Sequence, residues 1–406
     1  MTDSAVVVDL SSVRGTDAGR VGPKMARLGQ LAADGWRVPD GYAVTASALD
    51  GWLPAPARAE LARLFTAPAS GQDELPLPEL AGRARALVES QPLPSWLEDA
   101  VAAAHARLAA RVSARVSARA GRGEALRVAV RSSAVSEDGH AASFAGQYET
   151  YLGVSGVADV LLHIRRCWAS GFSAHALSYR RRFGGPAPVR VHDLAVGVLE
   201  LVDARSAGVA FTLDPVTGDR GVCVVEGNWG FGESVVSGHV TPDHWTVDRA
   251  TGQVRTERVG AKQTWAAYSE TAGRVELSPL PEGLTGKACL TPEEVRYICE
   301  RALAIESAAG GVPQDVEWAV ARDLPFPDCV YILQHRPETT WTTPLPAREP
   351  RSAEPKSAEP KSAEDSAAKD SAAKGGAAED GAAKGGKPSF DPVQYALRNV
   401  FKVPGA

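Results

Sequence analysis

No hydrophobic run in the 406 residues approaches the roughly 20 needed to span a bilayer. The opening MTDSAVVVDL carries no basic stretch ahead of a long apolar one, so no secretory leader is expected either. Cysteine is sparse: Cys167, Cys223, Cys289, Cys299 and Cys329 are scattered with no CxxC spacing, and five cannot all pair internally. That pattern disfavours a zinc ribbon or a disulfide framework and implies buried thiols in a reducing compartment, so the expected location is cytoplasmic. There is no excess of positive charge; the net charge of -5 argues against a nucleic-acid partner. Missing too are GxxxxGK[ST] and a correctly spaced GxGxxG, since the glycines of GNWGFGESVVSG fall at other intervals. P-loop and Rossmann readings therefore have little support.

What is present suits a soluble globular chain of two or three domains with 44% hydrophobic residues. The composition changes near Pro344. From there to about Pro388 a degenerate repeat, chiefly of Ser, Ala, Glu, Lys, Pro and Gly, contains no aromatic residue and, apart from Leu345 at its start, no branched aliphatic one, so 344–388 is expected to be a disordered, solvated linker. Apolar residues then return in FDPVQYALRNVFKVPGA. Asp391 can cap a helix with Pro392 at its first position, which sets Val393, Leu397, Val400 and Phe401 on one face. So short a helix is marginal alone, so 389–406 reads as a docking segment that needs a partner surface.

Upstream, helix and strand signals alternate. The Ala/Arg/Leu-rich stretch from about Trp96 to Ala120 reads as a helix with a basic, solvated face. ALRVAVRSS, DLAVGVLELV, AGVAFTLD and GVCVVEGNWG read as buried strands. TPEEVRYICERALAIESAAGG has a helix start at Thr291, Pro292 and Glu294 and a stop at Gly310.

Four segments carry candidate chemistry. In QDVEWAV, Asp315 and Glu317 share one face of an extended chain, and in YILQHRPET Gln334 and Arg336 share another. A hairpin around RDLPFPD would bring all four together. Hard oxygen ligands there suit magnesium and a guanidinium suits phosphate, although a solvated edge hairpin with cross-strand ion pairs fits equally well. Lys24 follows a Gly-Pro turn and leads a helix, a place suited to a phosphate ligand or to ordinary surface. Arg131 closes an apolar strand before a long Ser/Gly-rich loop, an arrangement that favours an anion cradle over a bare surface loop. LDPVTGD is a turn by its Asp, Pro and Gly.

In order along the chain, LGQLAADGWRVPDGYAVT after Lys24, RSSAVSEDGHAASFAGQYETYLGV, AGVAFTLDPVTGD, WGFGESVVSG, QDVEWA and QHRPET resemble the ATP-binding domain shared by phosphoenolpyruvate synthase, pyruvate phosphate dikinase and rifampicin phosphotransferase. The resemblance covers about residues 10 to 342. It implies an ATP-grasp fold of α+β lobes, with lobes at 1–194 and 195–343 and a nucleotide cleft between them. It further implies ATP and Mg2+ as cofactors. Lys24, Arg131 and Arg336 would be the catalytic phosphate-binding cations, and Glu317, Asp315 and Gln334 the metal ligands. Ser132, Ser143 and Gly146 match its phosphate loop. Glu200, Leu201 and Val202, after Leu199, match the hinge that holds adenine, while Thr212, Asp214 and Glu233 fall in motifs that line the cleft.

The sequence departs from the family at Leu199 and Leu201, where Gln and Met are usual, and at His140 and Ala141, where Pro and Asp are. His335 stands where Ala is common and by alternation faces away from the nucleotide. None of the eight histidines lies in a Thr-Ser-His-Ala-like context. The chain thus looks like one subunit of a split, AMP-forming phosphotransferase. A separate phosphohistidine subunit, docked through 389–406, would pass phosphate to a small acceptor. A stand-alone small-molecule kinase and a non-catalytic ATP-binding regulator are the alternatives.

Overall fold

The computed structural model describes residues 5–65, 75–117, 126–135, 149–174, 176–178, 194–236, 238 and 240–341. Ser143, Gly146, His140, Ala141, the linker 344–388 and the tail 389–406 lie outside the described residues. No helix among the described residues is long and apolar enough to cross a membrane.

The chain begins with β1 (Val7–Asp9), α1 (Ala18–Ala33), β2 (Gly41–Val44), α2 (Ala46–Trp52) and α3 (Ala55–Phe65). It continues with α4 (Leu77–Glu89), α5 (Ser95–Ser117), β3 (Arg127–Ala134), β4 (Thr150–Ser155), α6 (Val157–Ser170) and β5 (Leu194–Glu200). These strands form one antiparallel sheet in the order β1-β2-β5-β3-β4. Alternation divides it into two apolar faces. Val128, Val130, Val196 and Val198 pack with Trp52, Leu97, Leu108 and Trp168 from the helices. On the opposite side Ala43 and Leu199 pack with Leu28, Met25 and Val21 of α1.

The second half contributes β6 (Ala204–Phe211), β7 (Val222–Trp229), α7 (Glu233–Val236), β8 (Asp243–Asp248) and β9 (Val254–Arg258). After them come β10 (Thr264–Ser269), β11 (Arg274–Pro279), α8 (Pro292–Ala308), β12 (Gln314–Ala321) and β13 (Val330–Pro337). Six strands make a second antiparallel sheet in the order β13-β12-β6-β7-β8-β9, and β10 and β11 form a separate hairpin. Helix α8 starts with the capping box foreseen at Thr291 and Glu294 and ends before Gly310, whose φ is 74°. Its Val295, Ile298, Ala302 and Ile305 cover the face built by Cys223, Val225, Val316, Trp318 and Val320. The other face of β12 is left for Asp315, Glu317 and Ala319.

The strands foreseen from apolar runs form as β3, β5, β6 and β7. Two expectations need correction. Strand β5 belongs wholly to the first sheet, so the changeover between sheets falls between Glu200 and Ala204 and not at 194/195. The arginine face of α5 is not simply solvated: Arg107 reaches Asp9 at 3.1 Å, Arg111 reaches Asp40 at 2.7 Å, and Arg115 pairs with Glu200. Those partners lie far away in sequence, so helical periodicity alone could not reveal them.

Helix α1 belongs to both halves. Leu31 is buried in the second core, and Trp36 and Val38 of the following turn pack against that core. The carbonyl of Arg37 accepts the N–H of Ile332 at 2.9 Å. Arg37 donates to the Tyr331 hydroxyl at 3.0 Å, and Arg301 of α8 stands 5.5 Å over the Trp36 ring. On the far side the β10–β11 hairpin reaches the first sheet, where Arg127 lies 3.9 Å over the Tyr268 ring and bonds Glu270 at 2.7 Å.

Candidate active site

A cavity of about 460 Å³ lies between the two sheets, within the range of small-molecule sites. Each of its ends is built by recognisable local chemistry. At one end, α1 is broken at Gly22 (φ 75°, ψ 156°) and restarted by Pro23, which needs no N–H partner in a first turn. A Cβ at Gly22 would overlap the backbone carbonyl of Ser133, so the break also lets α1 approach the end of β3 closely. Lys24 follows at once and lines the cavity. Arg131 enters from β3, its Nη2 donating to Gln334 Oε1 across the cleft. Its Nε is buried with no hydrogen-bond partner among the described residues.

The opposite wall is the β12–β13 hairpin in the register expected from alternation: Asp315 is opposite Arg336 and Glu317 opposite Gln334. Gln334 Nε2 donates to Glu317 Oε1 at 3.1 Å. The hairpin is at the sheet edge, as the bland alternative supposed, but Glu317, Gln334 and Arg336 line the cavity. The pairing shifts beside Glu317, and the extra residue, Leu333, also lines it. His335 is directed to Gln314 Oε1 at 2.9 Å and does not line the cavity.

Asp315 does not line the cavity. It lies behind Arg336, whose Nε and Nη2 reach Asp315 Oδ2 at 2.8 Å and 2.6 Å. Burial pushes the Asp315 carboxyl up, opposed by Arg336, while nearby Glu317 and Glu338 push it further up. The arrangement makes Asp315 the residue that orients Arg336.

The other end of the cavity is apolar, with Leu152, Leu199, Leu201, Phe231 and Ala319 on its walls. Phe231 is held by its N–H to Ala266 O at 2.9 Å. Glu200, Leu201 and Val202 line this end, with Glu233 exposed on the rim. Three other expected ligands that are described lie elsewhere. Ser132 is buried and its hydroxyl faces the Glu149 carbonyl at 3.4 Å. Thr212 Oγ1 accepts from Gln314 N at 2.8 Å, tying β6 to β12. Asp214 accepts from Val216 N and Thr217 N at 2.8 and 3.2 Å, so it shapes a turn. None of these three lines the cavity.

Leu152, Phe231 and Leu333 were not singled out from the sequence. The signal for Phe231 was its place between two glycines, Gly230 and Gly232; Leu333 had none, because it depends on a bulge.

Glu317 and Gln334 offer a carboxylate and an amide oxygen beside three cations, and no group of three or more His, Cys, Asp or Glu able to hold a metal occurs among the described residues. That donor set fits a magnesium ion, which takes one or two protein oxygens and completes its shell from phosphates and water. It does not suggest an all-protein zinc or calcium cage.

A cavity with an apolar end, a backbone strip and a cationic end with two hard oxygen donors defines a nucleotide-phosphate-binding domain. The chain belongs to the family described as the pyruvate phosphate dikinase AMP/ATP-binding domain, which matches residues 18–357. It is 37% identical over 83% of its length to a probable phosphoenolpyruvate synthase of Staphylothermus marinus, covering 41% of that protein. It is also 37% identical over 85% of its length to a rifampicin phosphotransferase of a Streptomyces species, covering 37% of that protein. A third relative, 34% identical over 84% of this chain, is the prodigiosin synthesizing transferase PigC of Serratia marcescens, of which 34% is covered. The chain thus spans well under half the length of these relatives.

Proposed function

We propose that the two sheets are the lobes of an ATP-grasp and that the chain is the ATP-binding part of a dikinase-type phosphotransferase. Adenine occupies the apolar end against the Glu200–Val202 backbone, and the phosphates lie between Lys24, Arg131 and Arg336. The observation that carries this reading is the convergence of those three cations with the Glu317–Gln334 pair at one end of a single cavity whose other end is apolar.

In this reading an imidazole nitrogen of a histidine on a partner subunit attacks the β-phosphorus, and the α,β-bridging P–O bond breaks to release AMP. Water then removes the γ-phosphoryl group as phosphate and leaves the β-phosphoryl group on the histidine, which passes it to a small-molecule acceptor. Lys24, Arg131 and Arg336 hold the oxygens on which charge develops. Glu317 and Gln334 would hold magnesium, which when bound neutralises phosphate charge. No histidine is found among the described residues that line the cavity. The tail 389–406 serves as the docking helix in this proposal.

Incubation of the chain with ATP and a candidate histidine protein tests the reaction: AMP and phosphate are expected, and accumulation of ADP without AMP would overturn the dikinase chemistry. Truncation after Thr343 should preserve ATP binding and raise the histidine-protein concentration needed for turnover. Identical turnover at limiting histidine protein would remove the docking role.

A further inference from the structure

The strip Glu200–Val202 is held from outside the cavity by α5. Arg107, Arg111 and Arg115 recur every four residues and so lie along one side of the helix. They face three carboxylates in turn. Arg107 Nε donates to Asp9 Oδ2 at 3.1 Å, and Arg111 grips Asp40 through Nε and Nη2 at 2.7 and 3.1 Å. Arg115 Nη2 donates to Glu200 Oε2. The last two carboxylate residues are joined to each other as well: Asp40 N–H donates to Glu200 Oε1 at 3.0 Å, and Glu200 N–H donates to Asp40 O at 2.8 Å. Leu201 N–H is likewise committed, to Arg127 O at 2.9 Å. Pro39, next to Asp40, and Glu200 both line the cavity. Burial raises the pKa of the Glu200 carboxyl, and Arg115 opposes that rise.

We infer that this arginine ladder is a positioning device for the base-facing strip, with Arg115 as its decisive rung, and that it sets nucleobase selectivity without touching the nucleotide. The inference rests on the nucleotide reading proposed above. Adenine and guanine exchange donor and acceptor along one edge, so a backbone strip tells them apart only if its groups are fixed to within a fraction of an ångström. The reciprocal Asp40–Glu200 pair fixes the strip to the turn before β2, and the ladder ties that turn to α5. Arg115 is 41% exposed in its side chain, so it adds little to the core while holding a carboxylate that is 9% exposed.

The test is calorimetric binding of ATP, GTP and inorganic tripolyphosphate to the full chain, in magnesium, for the wild type, Arg115→Ala, Arg115→Lys and Glu200→Gln. Arg115→Ala should weaken ATP binding about tenfold, the scale of one charged hydrogen bond, and lower the ATP-to-GTP preference. Tripolyphosphate, which needs only the cationic end, should bind Arg115→Ala as it binds the wild type. Arg115→Lys should recover part of the ATP affinity. Glu200→Gln, which keeps an acceptor for Asp40 N–H and loses the charge, should follow Arg115→Ala and carries the test if that variant does not fold. Unchanged ATP affinity, an unchanged ATP-to-GTP ratio, or parallel loss of ATP and tripolyphosphate would each overturn the inference. A wild type that binds tripolyphosphate but not ATP would overturn the nucleotide reading itself, in an arm that involves no substitution.

Discussion

Replacing Arg336 by alanine is expected to do two separable things, because the side chain faces a cavity on one side and a buried carboxylate on the other. Asp315 is 6% exposed, its Oδ1 has no hydrogen-bond partner among the described residues, and its Oδ2 receives both Arg336 Nε and Nη2. Removing the guanidinium leaves a buried carboxylate without its counter-ion, with Glu317 and Glu338 as neighbouring like charges. Breaking a buried pair from one side costs roughly 3–5 kcal/mol. The Arg336 side chain is 21% exposed, so water can enter its place, and the lower end, about 3 kcal/mol, is the better figure. At roughly 2–4 °C per kcal/mol this is a fall of about 6–12 °C in melting temperature. Adding Asp315→Asn removes the stranded charge and should restore most of that stability, yet ATP affinity should stay low because the guanidinium proposed to hold phosphate is still missing. Urea unfolding followed by tryptophan fluorescence, with ATP titrations at low temperature, reads the two effects independently. A single variant within about 1 kcal/mol of the wild type would show that Asp315 does not depend on Arg336. Recovery of ATP binding in the double variant would remove Arg336 from the phosphate site.

Three further outcomes are expected. Lys262→Met should destabilise by about 3–5 kcal/mol in the same unfolding assay, because Lys262 and Asp243 are both fully buried and paired; adding Asp243→Asn should recover part of the loss, and a loss below about 1 kcal/mol would show that the pair is dispensable. Gly22→Ala should cost more than about 1 kcal/mol and lower ATP affinity, since a side chain there is strained at φ 75° and collides with Ser133 beside Lys24; wild-type affinity would show that Lys24 does not depend on the close approach. All five cysteines are buried, and burial pushes the Cys167 thiol up, while contact with Cys299 and burial do the same for Cys223. Iodoacetamide at pH 8 should therefore label none of them in the native protein and all five after denaturation, as read by mass spectrometry.

The β12–β13 register was legible because QDVEWAV alternates cleanly, and the face left over from Val316, Trp318 and Val320 had to carry Asp315 and Glu317. The same alternation could not separate Glu317, which lines the cavity, from Asp315, which lies behind Arg336; that depends on where along the strand the cleft opens. Thr212 and Asp214 sit in a recognisable motif, and the hydrogen bonds they make keep a strand junction and a turn, which the motif alone does not reveal. The α5 arginines were visible as a basic stripe, whereas Asp9, Asp40 and Glu200 are joined to it only by the tertiary fold. Leu333 reaches the cavity through a pairing shift that leaves no mark in local composition.

The shared position of α1 bears on whether the two halves could ever be handled apart. Leu31, Trp36 and Val38 complete the core beneath α8, yet the chain that bears them lies before every strand of the first sheet except β1. A fragment starting at Ala204 would lack that plug and expose the apolar surface it covers, while a fragment ending at Glu200 would carry the plug unburied. Cutting the peptide between Glu200 and Ala204 in the folded protein should instead leave both pieces associated, and they should separate only in denaturant. Lys24, carried by α1, is thus packed as one unit with the core that carries the β12–β13 hairpin and Arg336.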